Sequence, residues 1–314
     1  MRSPVPRCFV TRQLPGEALK RLQTRHEVEV WPDRAPPTPE QLLEHAGDAQ
    51  GLLSLLTDRL DARAMEGMPN LKVISNYAVG YDNVDLTAAA ARGIKVGNTP
   101  DVLTDATADL TFTLLLAAAR RLPEAFAAAR DGEWLGWEPA GFLGAEVHGQ
   151  TLGIVGFGRI GQAVAARAGG FAMRVIHTTS KSGPADCDWL LDESDFVSLH
   201  TPLTPTTRHL IDANALKRMK PTAILINTAR GQLVDQPALI DALKSSQIAG
   251  AALDVTDPEP PTENDPLLSA PNLVLTPHIG SATRAARERM ADLAVDNLLA
   301  GLEGRPLPHE VTKA

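Results

Sequence analysis

The stretch Leu152-Gly153-Ile154-Val155-Gly156-Phe157-Gly158-Arg159-Ile160-Gly161 decides the fold class. Its apolar first half reads as a buried strand over 151–156. The second half has the spacing G-x-G-x-x-G and runs into a helical stretch at 162–168. Each glycine has a mechanical reason. Gly156 permits a tight turn, Gly158 lets backbone approach a pyrophosphate, and Gly161 lets the helix pack close to the strand. The N–H groups at the helix start are then free to meet phosphate oxygens. A strand before the glycines and a helix after them is the context that a dinucleotide-binding turn requires.

On the C-terminal side, apolar runs at 173–178, 195–200, 223–228, 250–255 and 273–277 read as further strands, and a helix is expected over 281–302. On the N-terminal side, strands are expected at 8–11, 27–31, 51–56, 72–75 and 94–96, with helices at 17–25, 39–46 and 85–92 between them. Asp85 is placed to cap the last of these and Gly93 to stop it. One long helix is expected over 102–122, followed by a loop over 131–149 that carries Trp134 and Trp137. Apolar strands alternating with helices predict an α/β chain with two doubly wound parallel sheets.

The chain has 314 residues, 44% of them hydrophobic, which suffices for two cores, and a formal net charge of -8. The acidic balance argues against nucleic acid or an anionic membrane as the main partner. Cys8 and Cys187 are the only cysteines and lack metal-site or Cys-x-x-Cys spacing, so neither a disulfide framework nor a metal site is expected. Residues 1–15 contain no apolar run of signal-peptide type, and the most apolar helix falls short of the ~20 residues that span a bilayer. A soluble, cytoplasmic protein is expected.

Three polar residues follow strands of the second set: Arg230 in Asn227-Thr228-Ala229-Arg230-Gly231, Glu259 in Asp257-Pro258-Glu259-Pro260, and His278 in Thr276-Pro277-His278-Ile279-Gly280. Carboxyl ends of parallel strands are where open sheets bind ligands. Reduction of a 2-keto acid needs a cation for the carboxylate, an acid for the developing alkoxide, and a group that keeps the acid protonated. Arg230, His278 and Glu259 match those needs in that order. Singly, each reads equally as a solvated or hydrogen-bonded loop residue. NAD-selective sites place an acid about 20 residues beyond the glycines. Here 156–185 contains none, and the second strand ends in Thr178-Thr179-Ser180-Lys181. Hydroxyls and a cation there suit a 2′-phosphate, so NADP(H) is expected over NAD(H), with a relaxed choice as the alternative.

The order of these motifs resembles the D-isomer-specific 2-hydroxyacid dehydrogenases over nearly the whole chain. Further matching stretches are Asn76-Tyr77-Ala78-Val79-Gly80-Tyr81-Asp82-Asn83-Val84-Asp85, Ser198-Leu199-His200-Thr201-Pro202-Leu203-Thr204 and Ala252-Leu253-Asp254-Val255. Within the family the chain is most similar to the glyoxylate/hydroxypyruvate reductases. The resemblance implies a Rossmann cofactor domain, residues 99–282, inserted into a flavodoxin-like substrate domain, residues 1–98 with 283–314, and an active site in the cleft between them. It implies Arg230, Glu259 and His278 in the roles above, the N–H groups of Val79 and Gly80 as carboxylate binders, and Leu55 at the edge of the substrate pocket. For the cofactor it adds Thr107, Arg159, Ile160, Thr201, Pro202, Thr207, Thr228, Asp254, His278 and Gly280 to the glycines 156, 158 and 161. It also implies a homodimer in which Trp137 reaches the neighbour's site.

One stretch departs from the family. Between Lys181 and Asp195 the family usually has a further helix and strand, and only thirteen intervening residues, 182–194, remain here. A parallel crossover needs a dozen or more residues, so part of that unit is shortened. Other readings on the same scaffold are a phosphite or 2-ketogluconate-type dehydrogenase, or a dinucleotide-sensing binding protein.

Overall fold

The computed structural model describes residues 5–312. Eleven parallel strands lie in two sheets among the described residues: β1 Arg7–Val10, β2 Glu27–Val30, β3 Gly51–Ser54, β4 Val73–Asn76, β5 Lys95–Gly97, β6 Thr151–Val155, β7 Arg174–Thr178, β8 Phe196–Leu199, β9 Ile224–Asn227, β10 Gly250–Leu253 and β11 Leu273–Leu275. The chain divides into two compact units, Met1–Leu103 with Ala282–Ala314, and Thr104–Ser281.

The first unit carries the five-stranded sheet in the order β2-β1-β3-β4-β5. That is the flavodoxin-like arrangement. Phe9, Leu52, Ile74 and Val96 from its strands pack with Leu42, Met65 and Met68 into one apolar core. The helix Leu86–Ala91 starts as the sequence indicates. The Asp85 carboxylate accepts hydrogen bonds from the Thr87 and Ala88 N–H groups at 2.9 and 3.0 Å, and Gly93 follows with φ +67°. Such a cap contributes about 1 kcal/mol.

The second unit carries the six-stranded sheet in the order β11-β10-β9-β8-β6-β7. Its period-2 alternation feeds two cores. Ile224 and Ile226 face one, with Leu152, Ile154 and Phe196, while Leu225 faces the other, with Val155, Val197 and Leu199. Both faces are therefore covered, which is why these strands read as continuous apolar runs.

One expectation needs correction, and two stretches gain detail. The single helix over 102–122 is two helices, Thr104–Ala119 and Leu122–Arg130, because Arg121 takes a left-handed backbone with φ +51° and Pro123 must sit in a first helical turn. The shortened segment keeps its helix, Pro184–Glu193, and it is the strand that is lost. Ser194 and Asp195 alone remain before β8, too few for a strand, and the sheet ends at β7. The helices Ala62–Glu66, Ala213–Arg218 and Gln236–Lys244 were not anticipated. Each is capped by an aspartate that accepts first-turn N–H groups: Asp61, Asp212 and Asp235.

Candidate active site

The glycine turn has the geometry that its sequence demands. Gly156 has φ +95°, and a Cβ there would lie 2.7 Å from the His200 carbonyl carbon and the Thr201 nitrogen. A Cβ on Gly161 would lie 2.3 Å from the Gly156 oxygen. Gly158 is different. It precedes the helix Arg159–Ala168, and nothing comes within 4 Å of where its Cβ would be. No side chain caps this helix, and its first turn, which includes Arg159, Ile160 and Gly161, has no acidic residue. An open approach to uncapped N–H groups fits a pyrophosphate.

The neighbouring strand β8 leads into Thr201 and Pro202. The Thr207 hydroxyl donates to the Pro202 oxygen at 2.7 Å and accepts from the Thr204 N–H at 2.8 Å, closing this loop on itself. Just before it, His200 Nε2 lies 2.8 Å from the Ser198 hydroxyl, and burial lowers the ring's pKa from 6.5 to about 4. His200 is thus neutral near pH 7. It belongs to the quoted Ser198–Thr204 motif, although nothing in its spacing marks it as half-buried.

On the other side of β6, β7 ends in register, Thr178 opposite Val155, and the Gly156 N–H donates to the Thr178 oxygen at 3.1 Å. Thr178 is buried, whereas Thr179, Ser180 and Lys181 are exposed. The Thr179 hydroxyl accepts from the Lys181 N–H at 3.2 Å, and the Ser182 hydroxyl accepts from the Thr179 N–H at 3.1 Å. The next acid in sequence, Asp186, accepts from the Gly183 N–H at 2.8 Å and so caps the following helix. This edge of the turn presents hydroxyls and an ammonium.

The three polar strand-end residues lie beyond adjacent strands, β9, β10 and β11. Asn227, buried at the end of β9, folds the first loop: its Nδ2 donates to the Arg230 oxygen at 2.8 Å and its Oδ1 accepts from the Ala229 N–H at 3.0 Å. A Cβ on Gly231 would lie 2.0 Å from the Thr256 oxygen, so only glycine lets this loop rest on the one after β10. There, the Thr256 N–H points to Glu259 Oε2 at 3.4 Å, and Glu259 Oε1 meets His278 Nδ1 at 2.5 Å. Pairing Nδ1 with a carboxylate fixes the ring and leaves Nε2 as the nitrogen that can meet a substrate.

His278 has φ +53°, an unusual conformation for a residue with a side chain. Asp254 holds it there. The Asp254 backbone oxygen accepts the His278 N–H at 2.9 Å, and its buried carboxylate accepts from the Thr276 hydroxyl, the Ile279 N–H and the Gly280 N–H at 2.6, 2.8 and 2.7 Å. The geometry therefore adds a positioning task for Asp254 that its sequence motif does not reveal. A Cβ on Gly280 would come within 3.3–3.4 Å of Asp254 and Thr107, and the hydroxyls of Thr111 and Thr228 meet at 3.0 Å, so Thr107, Thr228, Asp254 and Gly280 belong to one compact neighbourhood.

In the first unit, Leu55 follows β3, and its N–H donates to the buried carboxylate of Asp58 at 2.7 Å. Burial raises the Asp58 pKa. Val79 and Gly80 follow β4 and are half-buried. The Asn83 amide donates to the oxygens of both Leu55 and Asp58 at 3.0 Å, tying the loops after β3 and β4 together. Trp137 lies in a stretch without regular structure and is 87% exposed, beside Leu135 at 92%. Leu122, Phe126 and Trp134 are exposed in the same part of the chain. Among the described residues no group of three or more His, Cys, Asp or Glu is placed to hold a metal, and no helix is long and apolar enough to cross a membrane.

Comparison with known proteins bears on the family resemblance. Residues 112–280 match the family model described as D-isomer specific 2-hydroxyacid dehydrogenase, NAD binding domain. The chain is 51% identical to a glyoxylate reductase of Thermococcus litoralis, over 98% of this chain and 97% of that relative, and 48% identical to one of Korarchaeum cryptofilum, over 98% and 96%. Among solved structures, it is similar to the NADPH-dependent glyoxylate/hydroxypyruvate reductase of Sinorhizobium meliloti in complex with NADP and malonate. That match has 35% identity and a TM-score of 0.86, covering 98% of this chain and 96% of that one.

Proposed function

The chain belongs to the D-isomer-specific 2-hydroxyacid dehydrogenases and is a nicotinamide-dinucleotide-dependent dehydrogenase; from this premise we propose that it reduces glyoxylate to glycolate and hydroxypyruvate to D-glycerate, with NADPH preferred. The observation that carries the reading is the His278–Glu259 pair at 2.5 Å, at the end of the sheet that also bears the glycine turn. A dinucleotide held there would supply the hydride for the carbonyl carbon. His278 donates a proton from Nε2 to the oxygen as it becomes an alkoxide, and Glu259 stabilises the imidazolium before that transfer. Arg230 binds the substrate carboxylate, together with the N–H groups of Val79 and Gly80. Leu55 borders the bound acid. Gly156, Gly158, Arg159, Ile160 and Gly161 hold the pyrophosphate, and Thr179, Ser180 and Lys181 receive the 2′-phosphate.

Rates with glyoxylate, hydroxypyruvate, pyruvate and phosphite, each with the matching NADP or NAD form, test this reading. Glyoxylate or hydroxypyruvate with NADPH is expected to lead, and turnover of phosphite alone would overturn it. Charge-assisted hydrogen bonds contribute about 1.5–3 kcal/mol each, so one good contact implies at least about a tenfold preference in kcat/KM for NADPH. Thr179→Asp, at the first exposed position after β7, should reverse it by placing a carboxylate where the 2′-phosphate would lie. Equal or better use of NADH by the unmutated chain would remove the phosphate contacts from the account.

The exposed apolar residues over 122–143 support a second part of the proposal: a homodimer in which Trp137 lines the partner's substrate site. A monomer in light scattering at assay concentration, with full activity, would contradict it. Trp137→Ala should leave the dimer in place and alter KM for the keto acid.

A further inference from the structure

Two successive carbonyl groups in the loop after β4 are held by one short segment after β5. The Thr99 N–H donates to the Ala78 oxygen at 2.9 Å, and the Asn98 amide Nδ2 donates to the Val79 oxygen at 2.8 Å. The following carbonyl, of Gly80, is taken by the Asn76 amide at 2.9 Å. In a planar trans peptide, the C=O and the N–H of the same unit point in opposite directions. Holding the Ala78 and Val79 oxygens on residues 98 and 99 therefore turns the N–H groups of Val79 and Gly80 away from that segment, next to each other. Neither N–H makes a hydrogen bond within the described residues. Successive N–H groups presented on one side form an anion-binding concavity.

Asn98 is itself fixed from behind. Its N–H donates to the His309 oxygen at 3.1 Å, and its oxygen accepts from the Asn297 amide at 2.9 Å. Asn297 is fully buried on the helix Arg284–Leu302, and its own oxygen accepts from the His309 N–H at 3.0 Å. A Cβ on Gly97 would lie 2.7 Å from the Asn297 side chain, so glycine is what lets this buried amide come close to the end of β5. The side chain of Asn98 thus reaches Val79 from a backbone that cannot easily shift.

We infer that Asn98 is a positioning residue for substrate recognition: by holding the Val79 carbonyl, it aims the N–H groups of Val79 and Gly80 at the carboxylate of the keto acid. The inference rests on the reading of those two N–H groups as carboxylate binders. Asn98→Ala removes the clamp. Asn98→Asp keeps the size but sets an oxygen against the Val79 oxygen, which drives that peptide to turn.

The test measures steady-state constants for glyoxylate, the inhibition constant of oxalate, and the amide resonances of Val79 and Gly80 during an oxalate titration. In Asn98→Ala, KM for glyoxylate and Ki for oxalate should rise together by about tenfold, the worth of one hydrogen bond, and by more in Asn98→Asp. KM for the dinucleotide should stay unchanged and kcat should stay within about threefold, since the reacting groups are untouched. A lowered melting temperature and kcat with KM and Ki unchanged would make Asn98 a merely structural tie and overturn the inference. Should the unmutated chain reduce no keto acid, the proposed function fails and the resonances alone decide. An oxalate-induced shift at Val79 and Gly80 that Asn98→Ala abolishes then supports the clamp, and no shift in the unmutated chain overturns it.

Discussion

Replacing His278 with glutamine should lower turnover of glyoxylate by about 10²–10⁴-fold, the usual worth of a positioned general acid. Dinucleotide affinity should change little, because the proton is delivered only as the alkoxide develops. Glutamine retains a polar side chain of similar reach but cannot give up a proton at neutral pH. Glu259→Gln should have a smaller effect, since it removes the charge that stabilises the imidazolium while leaving His278 in place. Stopped-flow measurement of the hydride step, with dinucleotide binding followed separately, would check both. Wild-type turnover by His278→Gln across the pH range would remove His278 from the chemistry.

Arg230→Ala should lower kcat/KM for the keto acid by about 10²–10⁴-fold, the loss of two hydrogen bonds to a charged group at about 1.5–3 kcal/mol each. Unlike His278→Gln, it should raise KM as well as lower kcat, because the carboxylate is bound in the ground state too. Arg230→Lys should recover only part of the loss, since an ammonium keeps the charge but not the planar fork that engages two oxygens at once. A keto-acid KM unchanged in Arg230→Ala would assign the carboxylate to other groups.

Much of the fold is legible in the amino-acid sequence. The glycine turn announces itself because three constraints, a tight turn, an open approach and a close helix, each demand glycine at a fixed spacing. Fully apolar strands announce a sheet covered on both faces. The tasks of Asn227 and Asp254 were not legible. A buried amide or carboxylate is defined by its partners, and the donors that Asp254 satisfies lie 22 to 26 residues further along the chain. The break at Arg121 was hidden by continuous Ala and Leu content on both sides, although Pro123 carried the signal. Asp212 and Asp235 stand just before the helices they start, but a lone aspartate before a short apolar stretch does not by itself announce a helix. The sequence leaves open which part of the unit after Lys181 is missing: the ten-residue helix takes most of the thirteen residues 182–194 and leaves too few for a strand.

The account depends on a hydride reaching the carbonyl carbon of a 2-keto acid from one face, with a proton from the protein reaching its oxygen. The most direct measurement supplies hydroxypyruvate with NADPH deuterated at the transferable position of the nicotinamide and identifies the product. The expected result is D-glycerate carrying one deuterium at C2. L-glycerate, D-glycerate without the label, or no glycerate at all would contradict it.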